Sequence, residues 1–327
     1  MRTSMAIPAG RGGRRAAATF ALLLLLSGCA AEAGSAPQPV EGLLVLVRGD
    51  TTSLDVLAAK SDADETVAIG LPLPAQQMTW ISAGDGGVLL GTTAKGDLLL
   101  SDPVDPRGSA ADLAGLEWKP VKAKDEAGAA LEAPARYGSW DPSGKRFAAL
   151  GGDLPGGADI TLYLVEPGAG KVTTIALKRP LLPAPPVWLG ADRLTLLTGS
   201  SSAPAAIVVD TANGKISDGP AGDRRLATSG DGRVIATSAG AGASVVIRSS
   251  KGWASDDGTS IGSVEIPAGF SEAISLALDA AGDRLAIVWL GADGTPRYDI
   301  HDGTDGWRRV ASEPLSGAAA AAVAWLR

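Results

Sequence analysis

The chain has 327 residues, 29 basic and 36 acidic side chains, a formal net charge of −7, one histidine and one cysteine. A lone cysteine excludes an internal disulfide framework, and with a single histidine it cannot build a usual zinc site. The acidic balance argues against a nucleic-acid partner, which needs clustered Lys and Arg, whereas 45% hydrophobic residues suit a chain that buries a core.

The first element in chain order is a leader. Arg2, Arg11, Arg14 and Arg15 make a basic region without an acid, and Ala16 to Leu26 is an apolar run well short of the ~20 residues that cross a bilayer. This is the pattern of a secretory signal peptide. Leu26-Ser27-Gly28-Cys29 then resembles a bacterial lipobox. The resemblance implies that residues 1–28 are removed, that the Cys29 sulfur is diacylated and that Cys29 becomes the mature N-terminus. Two acyl chains hold a membrane firmly where one holds it marginally. Residues 29–40, small and rich in Ser and Pro without apolar periodicity, read as a flexible tether. Loss of the leader removes four arginines and no acid, taking the charge to about −11. The expected location is the extracytoplasmic face of the cell membrane. Ala30 lacks the aspartate that resembles an inner-membrane retention signal, so the outer membrane is favoured where there is one.

From residue 41 to 327 the apolar runs are short, rich in Val, Ile, Leu and Thr, and bounded by Gly, Asp, Pro and Ser, as strands with tight turns are. Five stretches share one layout of strand, Gly/Asp turn and strand: "MTWISAGDGGVLLGTT" (78–93), "YGSWDPSGKRFAALGG" (137–152), "PVWLGADRLTLLTGS" (186–200), "LATSGDGRVIATSA" (226–239) and "LALDAAGDRLAIVWL" (276–290). With Val88, Phe147, Leu194, Val234 and Leu285 taken as equivalent, the spacings are 59, 47, 40 and 51 residues. Repeats of about 40–50 residues with four strands each mark propeller blades. The long first spacing fits an insertion at 102–115 and 122–134. Third and fourth strands are expected within 159–177, 205–219 and 297–312. "AAVAWLR" (321–327) reads as a first strand without its turn, and 41–72 as three strands lacking a first, so the two ends are expected to join in one blade. The proline-dense "RPLLPAPPVWL" (179–189) is read as a stiff loop between strands.

"WDPSGKRFA" (140–148) and, more loosely, "LDAAGDRLAI" (278–287) resemble the blade turn of TolB-like propellers, and the layout is similar to WD-repeat propellers, although there is no Gly-His pair and no Trp-Asp at the end of third strands. The expectation is an all-β chain: one propeller of six four-stranded blades, closed by pairing of its N- and C-terminal segments. The resemblance carries no functional residue with it.

Chemistry is sparse. Trp80, Trp140, Trp188 and Trp325 stand at the ends of first strands, where wide rings would fill the wedge between blades; among Trp118, Trp253 and Trp307 an exposed ring is expected. His301 could serve a Ser-His-Asp set with Asp299 or Asp302, but no Gly-x-Ser-x-Gly elbow supplies a nucleophile, and it reads as a solvated strand-end residue. The acidic stretches 61–66, 255–260 and 302–306 offer oxygen ligands without the spacing of a calcium loop. No catalytic, cofactor-binding or metal residue is assigned; Leu26, Ser27, Gly28 and Cys29 are the only site residues. The expected function is a monomeric, non-catalytic platform for a protein partner in the cell envelope, with 102–134 as the contact region. The alternative is a small-ligand, glycan or calcium-dependent binder or hydrolase that uses the channel.

Overall fold

The computed structural model describes residues 42–48, 54–59, 66–70, 78–104, 116–126 and most of 128–325, apart from 129–130, 132–133, 155, 158, 256–258 and 316–319. The leader, Leu26, Ser27, Gly28, Cys29 and the tether lie outside the described residues. Among the described residues no helix is long and apolar enough to cross a membrane.

Strands β1 (Leu43–Arg48), β2 (Leu54–Ala59) and β3 (Thr66–Gly70) come first. Five groups of four follow: β4 (Met78–Ala83), β5 (Leu89–Thr93), β6 (Leu98–Ser101) and β7 (Trp118–Pro120); β8 (Ala135–Trp140), β9 (Phe147–Gly151), β10 (Thr161–Glu166) and β11 (Lys171–Ala176). Next are β12 (Val187–Trp188), β13 (Arg193–Ser200), β14 (Ala203–Asp210) and β15 (Ile216–Ala221), then β16 (Arg225–Thr228), β17 (Val234–Ser238), β18 (Val245–Ser249) and β19 (Ser260–Val264). The last group is β20 (Phe270–Leu278), β21 (Arg284–Gly291), β22 (Pro296–Asp302) and β23 (Arg308–Pro314), and β24 (Ala320–Trp325) follows it. Each group is an antiparallel sheet in sequence order, and the inner strands β4, β8, β12, β16 and β20 stand side by side. The fold is an all-β propeller.

Contiguous chain therefore builds five four-stranded blades, not six. The remaining sheet, in the order β24-β1-β2-β3, is a composite of both ends of the chain. Leu43 faces Trp325 and Val45 faces Val323 across its antiparallel seam, with a bulge between Leu46 and Val47. β24 packs against both β20 and β4.

Burial peaks in the second strands and falls toward the outermost ones, and composition follows it. The second strands Leu89–Thr93 and Phe147–Gly151 are buried at every position, since neighbouring blades cover both of their faces and leave no polar alternation to read. The outermost strands, such as Arg308–Pro314 and Ile216–Ala221, carry charges, Ser, Gly and Pro and hold no buried residue, which blunts free sheet edges. Between blades the core is aliphatic: Ala148, Leu150, Leu162 and Leu164 meet Trp188, Leu194, Leu196, Ile207 and Val209.

The Gly/Asp turns sit where expected, between first and second strands. The Asp279 carboxylate accepts from the backbone N–H of Gly282 at 2.7 Å, Asp283 at 2.9 Å and Arg284 at 3.1 Å, and Gly282, at φ +81°, supplies the left-handed step that would strain another residue. Asp141 does the same work for its turn and binds the Arg146 guanidinium at 3.1 Å. Arg146 continues to the Ala191 carbonyl and to Asp192 in the next blade's turn, so these two turns are linked.

The insertion divides into two parts. Residues 102–104 continue from β6 to the first turn, where the Val104 N–H donates to Gly87 O at 3.0 Å. Residues 121–126 tie to the next blade: the Lys124 N–H donates to Gly170 O at 3.0 Å, and the Lys124 carbonyl accepts from Val172 N–H at 2.9 Å.

Trp325 tests the composite sheet, since its indole packs against Ala277, Val288 and Leu315. Trp325→Ala is expected to cost about 3–5 kcal/mol, as large core truncations do, and Trp325→Phe about 1 kcal/mol for one hydrogen bond. Urea unfolding midpoints measure both.

Candidate binding site in the propeller channel

Strand ladders run within blades and not between them, so each inner strand turns an unpaired backbone edge toward its neighbour. Side chains satisfy part of that edge. The Trp80 Nε1–H donates to Gly138 O at 2.9 Å, that of Trp188 to Ser139 O at 3.0 Å, and that of Trp325 to Ala277 O at 3.0 Å. Ser275 Oγ accepts from Val323 N–H at 3.2 Å. Gly138 is required for the first of these contacts, because a Cβ there would stand 2.4 Å from Leu90 Cδ2.

The channel enclosed by these strands has two unlike ends. At the C-terminal ends of the inner strands, the short Gly/Asp turns form the rim and the cavity is about 90 Å³, lined by Ser82, Ser139, Trp140, Trp188, Ser229 and Trp325 among others. At the N-terminal ends the rim is built from dissimilar loops, and the cavity is about 370 Å³, within the range of small-molecule sites. Pro183, Ala184 and Pro185 form part of its wall, so the proline-dense segment is a loop between β11 and β12 that also shapes the channel.

Three polar features mark the wider end. Arg224 and Arg225 both line it. Arg225 donates from Nη1 to the Arg224 carbonyl at 3.1 Å, and among the described residues neither guanidinium has a carboxylate in ion-pair contact. The Nε atoms of both are buried without a hydrogen-bond partner. Burial holds the Arg225 pKa below its ordinary value, the nearby Glu272 opposes this and Arg224 adds to it. The third feature is Tyr137, at φ +57° within the bulge between Arg136 and Ser139. A left-handed aromatic residue costs roughly 1–2 kcal/mol and such strain clusters at functional sites. Tyr137 and Trp80 meet edge to face, 6.4 Å between centroids, and both line the cavity.

No protein-family model and no curated protein matches the chain. Among solved structures, TolB from Acinetobacter baumannii superposes with a TM-score of 0.60 at 12% identity, over 87% of this chain and 66% of that one. The likeness is one of fold. The periplasmic gluconolactonase PpgL of Pseudomonas aeruginosa follows at 0.51 and 15% identity, over 85% and 84% of the two chains, and a protein from Lactobacillus plantarum at 0.50 and 16%, over 88% and 99%. This chain thus spans just under two thirds of the TolB chain and most of the other two.

Several residues singled out by sequence stand elsewhere than expected. His301 is buried, not solvated. Its Nδ1 lies 3.0 Å from the Trp307 carbonyl, which can only accept, so the proton is on Nδ1 and the buried Nε2 has no partner among the described residues. Neither candidate acid orients the ring by hydrogen bonding. Asp299, fully buried, is held by Arg297 at 2.8 Å, Ser312 at 2.7 Å and Arg309 at 3.5 Å, and Asp302 caps the following turn through Thr304 N–H at 2.8 Å. Trp118, Trp253 and Trp307 are all buried; the expected exposed ring is not among them, and Trp80, a first-strand residue, is the more open one. Of the acidic stretches, 61–65 and 256–258 lie outside the described residues. Among the described residues no three His, Cys, Asp or Glu side chains are placed to hold a metal ion. Of the described residues in 102–134, none lines the wider cavity. The sequence reading missed Arg224, Arg225 and Tyr137, although "RR" at the head of an otherwise apolar first strand was a visible departure.

His301 gives a pH prediction. Burial lowers its pKa, against the Trp307 bond and the Asp299 charge, so the folded chain takes up this proton at lower pH than the unfolded chain. Its stability contribution is complete above the unfolded value near 6.5 and falls as pH drops from there toward the folded one, by at most ~1.4 kcal/mol per pH unit. Urea midpoints are expected to decline below pH ~6.5, and His301→Asn, whose amide can still reach the carbonyl, to remove that part of the decline.

Proposed function

We propose that this chain is an exported lipoprotein, anchored through Cys29 after removal of residues 1–28, with 29–40 as its tether. Its propeller acts as a monomeric, non-catalytic platform that holds a protein partner of the cell envelope on the extracytoplasmic side of the membrane. The composite sheet serves as the sixth, closing blade. The observation that carries the binding reading is the inequality of the channel ends: near-uniform, self-bonded turns rim a small cavity at one end, and unlike loops rim a cavity of about 370 Å³ at the other. Function concentrates on loops held by a rigid scaffold, and the wide end has both. A small ligand in the channel is the second reading, favoured by the same cavity.

Three outcomes test the proposal. Cys29→Ser is expected to move the protein from the membrane to the soluble fraction; retention there would refute the anchor. Truncation after Pro314, which removes β24, is expected to abolish cooperative unfolding, and a sharp transition of wild-type size would count against closure by the ends. A photocrosslinking residue at Lys95 or Ser202, on wide-end hairpins, is expected to capture the same envelope protein in cells, while Ser143 and Asp231, on the tight turns, capture none. The opposite pattern would place the contact at the other end.

A further inference from the structure

The wider cavity holds a pair of cationic side chains whose charge the described part of the chain does not neutralise by contact. A guanidinium presents five donors in a fixed fork. When it lies against the protein interior it normally finds a carboxylate or carbonyls, since a buried donor left unpaired is unfavourable. The chain does this elsewhere: Arg146 meets Asp141 at 3.1 Å, and Arg297 meets Asp299 at 2.8 Å. Arg224 and Arg225 are different. Among the described residues neither has a carboxylate in ion-pair contact; their Nε atoms, like those of Arg136, Arg248 and Arg297, are buried without partners there, and the one bond found there for either guanidinium is from Arg225 Nη1 to the Arg224 carbonyl. The Arg224 stem is seated on Gly240, where a Cβ would stand 2.6 Å from Arg224 Cδ, so the head is held in place by packing.

The surroundings are those of a ligand site and not of a solvated surface pair. The same cavity is walled by Trp80, Tyr137, Pro183, Leu197 and Leu290, an apolar and aromatic body beside a cationic edge. The strained Tyr137 presents its ring there, and burial raises its phenol pKa, so at neutral pH it is an uncharged donor.

We propose that this cavity binds an organic carboxylate, its anionic group on the forks of Arg224 and Arg225 and its apolar body against Trp80, Tyr137 and Leu290. The charge count selects the class. Both arginines line the cavity, and Glu272, placed opposite Leu290 in the β20–β21 ladder, acts on Arg225 from nearby. The net charge is close to one positive, which suits a monoanion better than a phosphate dianion. Planar, two-point recognition of carboxylate is what guanidinium groups provide. The inference stands apart from the protein-partner reading: crosslinks from Lys95 and Ser202 can fail while this binding persists, and the reverse.

The test uses the full lipidated chain in nonionic detergent, with a detergent blank, and calorimetric titration with naphthoate, neutral naphthalenemethanol and naphthyl phosphate. Wild-type protein is expected to bind naphthoate on the order of tenfold or more tightly than the alcohol, and more tightly than the phosphate ester. R224Q and R225Q are each expected to weaken naphthoate by a similar factor and to leave the alcohol unchanged, whereas R193Q, at the other end, leaves both unchanged. The acid-to-alcohol comparison is made on wild type and needs no variant to fold. No naphthoate binding, equal affinity for acid and alcohol, or preference for the phosphate would overturn the proposal. A Leu-Trp dipeptide acid and its amide form a second arm: preference for the acid beyond that for naphthoate assigns the carboxylate to a peptide terminus, and weaker binding assigns it to a free acid.

Discussion

The propeller depends on how its inner strands meet. Within a blade the ladder satisfies the backbone, but around the axis each innermost strand stands beside another with no ladder between them, and exposed strand edges invite foreign pairing. Three indole N–H groups answer this by donating to carbonyls of the adjoining inner strand. A wide ring fills the wedge between two diverging sheets, and its single donor fixes which carbonyl it faces. Apolar burial and a directional bond therefore come from one side chain. Trp140 shows the limit of the device: its indole packs on Gly84 and Phe147 but its Nε1 finds no partner among the described residues.

That solution also makes the two ends of the channel unlike. The indoles of Trp140, Trp188 and Trp325 and the Asp-bonded turns crowd the C-terminal ends of the inner strands, leaving about 90 Å³, while Trp80 reaches the wider cavity. At the N-terminal ends the chain enters each blade by a route of different length, and nothing of comparable bulk repeats. The difference in volume is thus a consequence of where the structural residues stand.

The architecture was legible because its causes are local. Asp and Gly at fixed offsets make turns, and five such turns at near-regular spacing give blades before any contact is known; every one of the five lies between the strands expected of it. The composite sheet was legible for the same reason, as the two ends were complementary remnants of one pattern. What escaped was set by long-range packing. His301 sits in a polar-looking stretch, yet it is buried with its Nδ1 on the Trp307 carbonyl. Trp80 and Trp140 occupy like positions in sequence and differ in exposure because Gly84 accommodates one ring and the cavity leaves the other open. Nor could spacing reveal that Arg224, Arg225 and Tyr137, from different blades, face one space.

The seam between β1 and β24 has a bearing on time. Leu43 and Trp325 are partners although 282 residues separate them, and at synthesis rates of roughly 5–20 residues per second β1 waits on the order of 14–56 s for its neighbour to exist. The pairing of β1 with β24 cannot form before that interval has passed. The seam therefore needs nearly the whole chain in one place, and a product cut short before β24 leaves the edge of β1 without the strand that pairs with it.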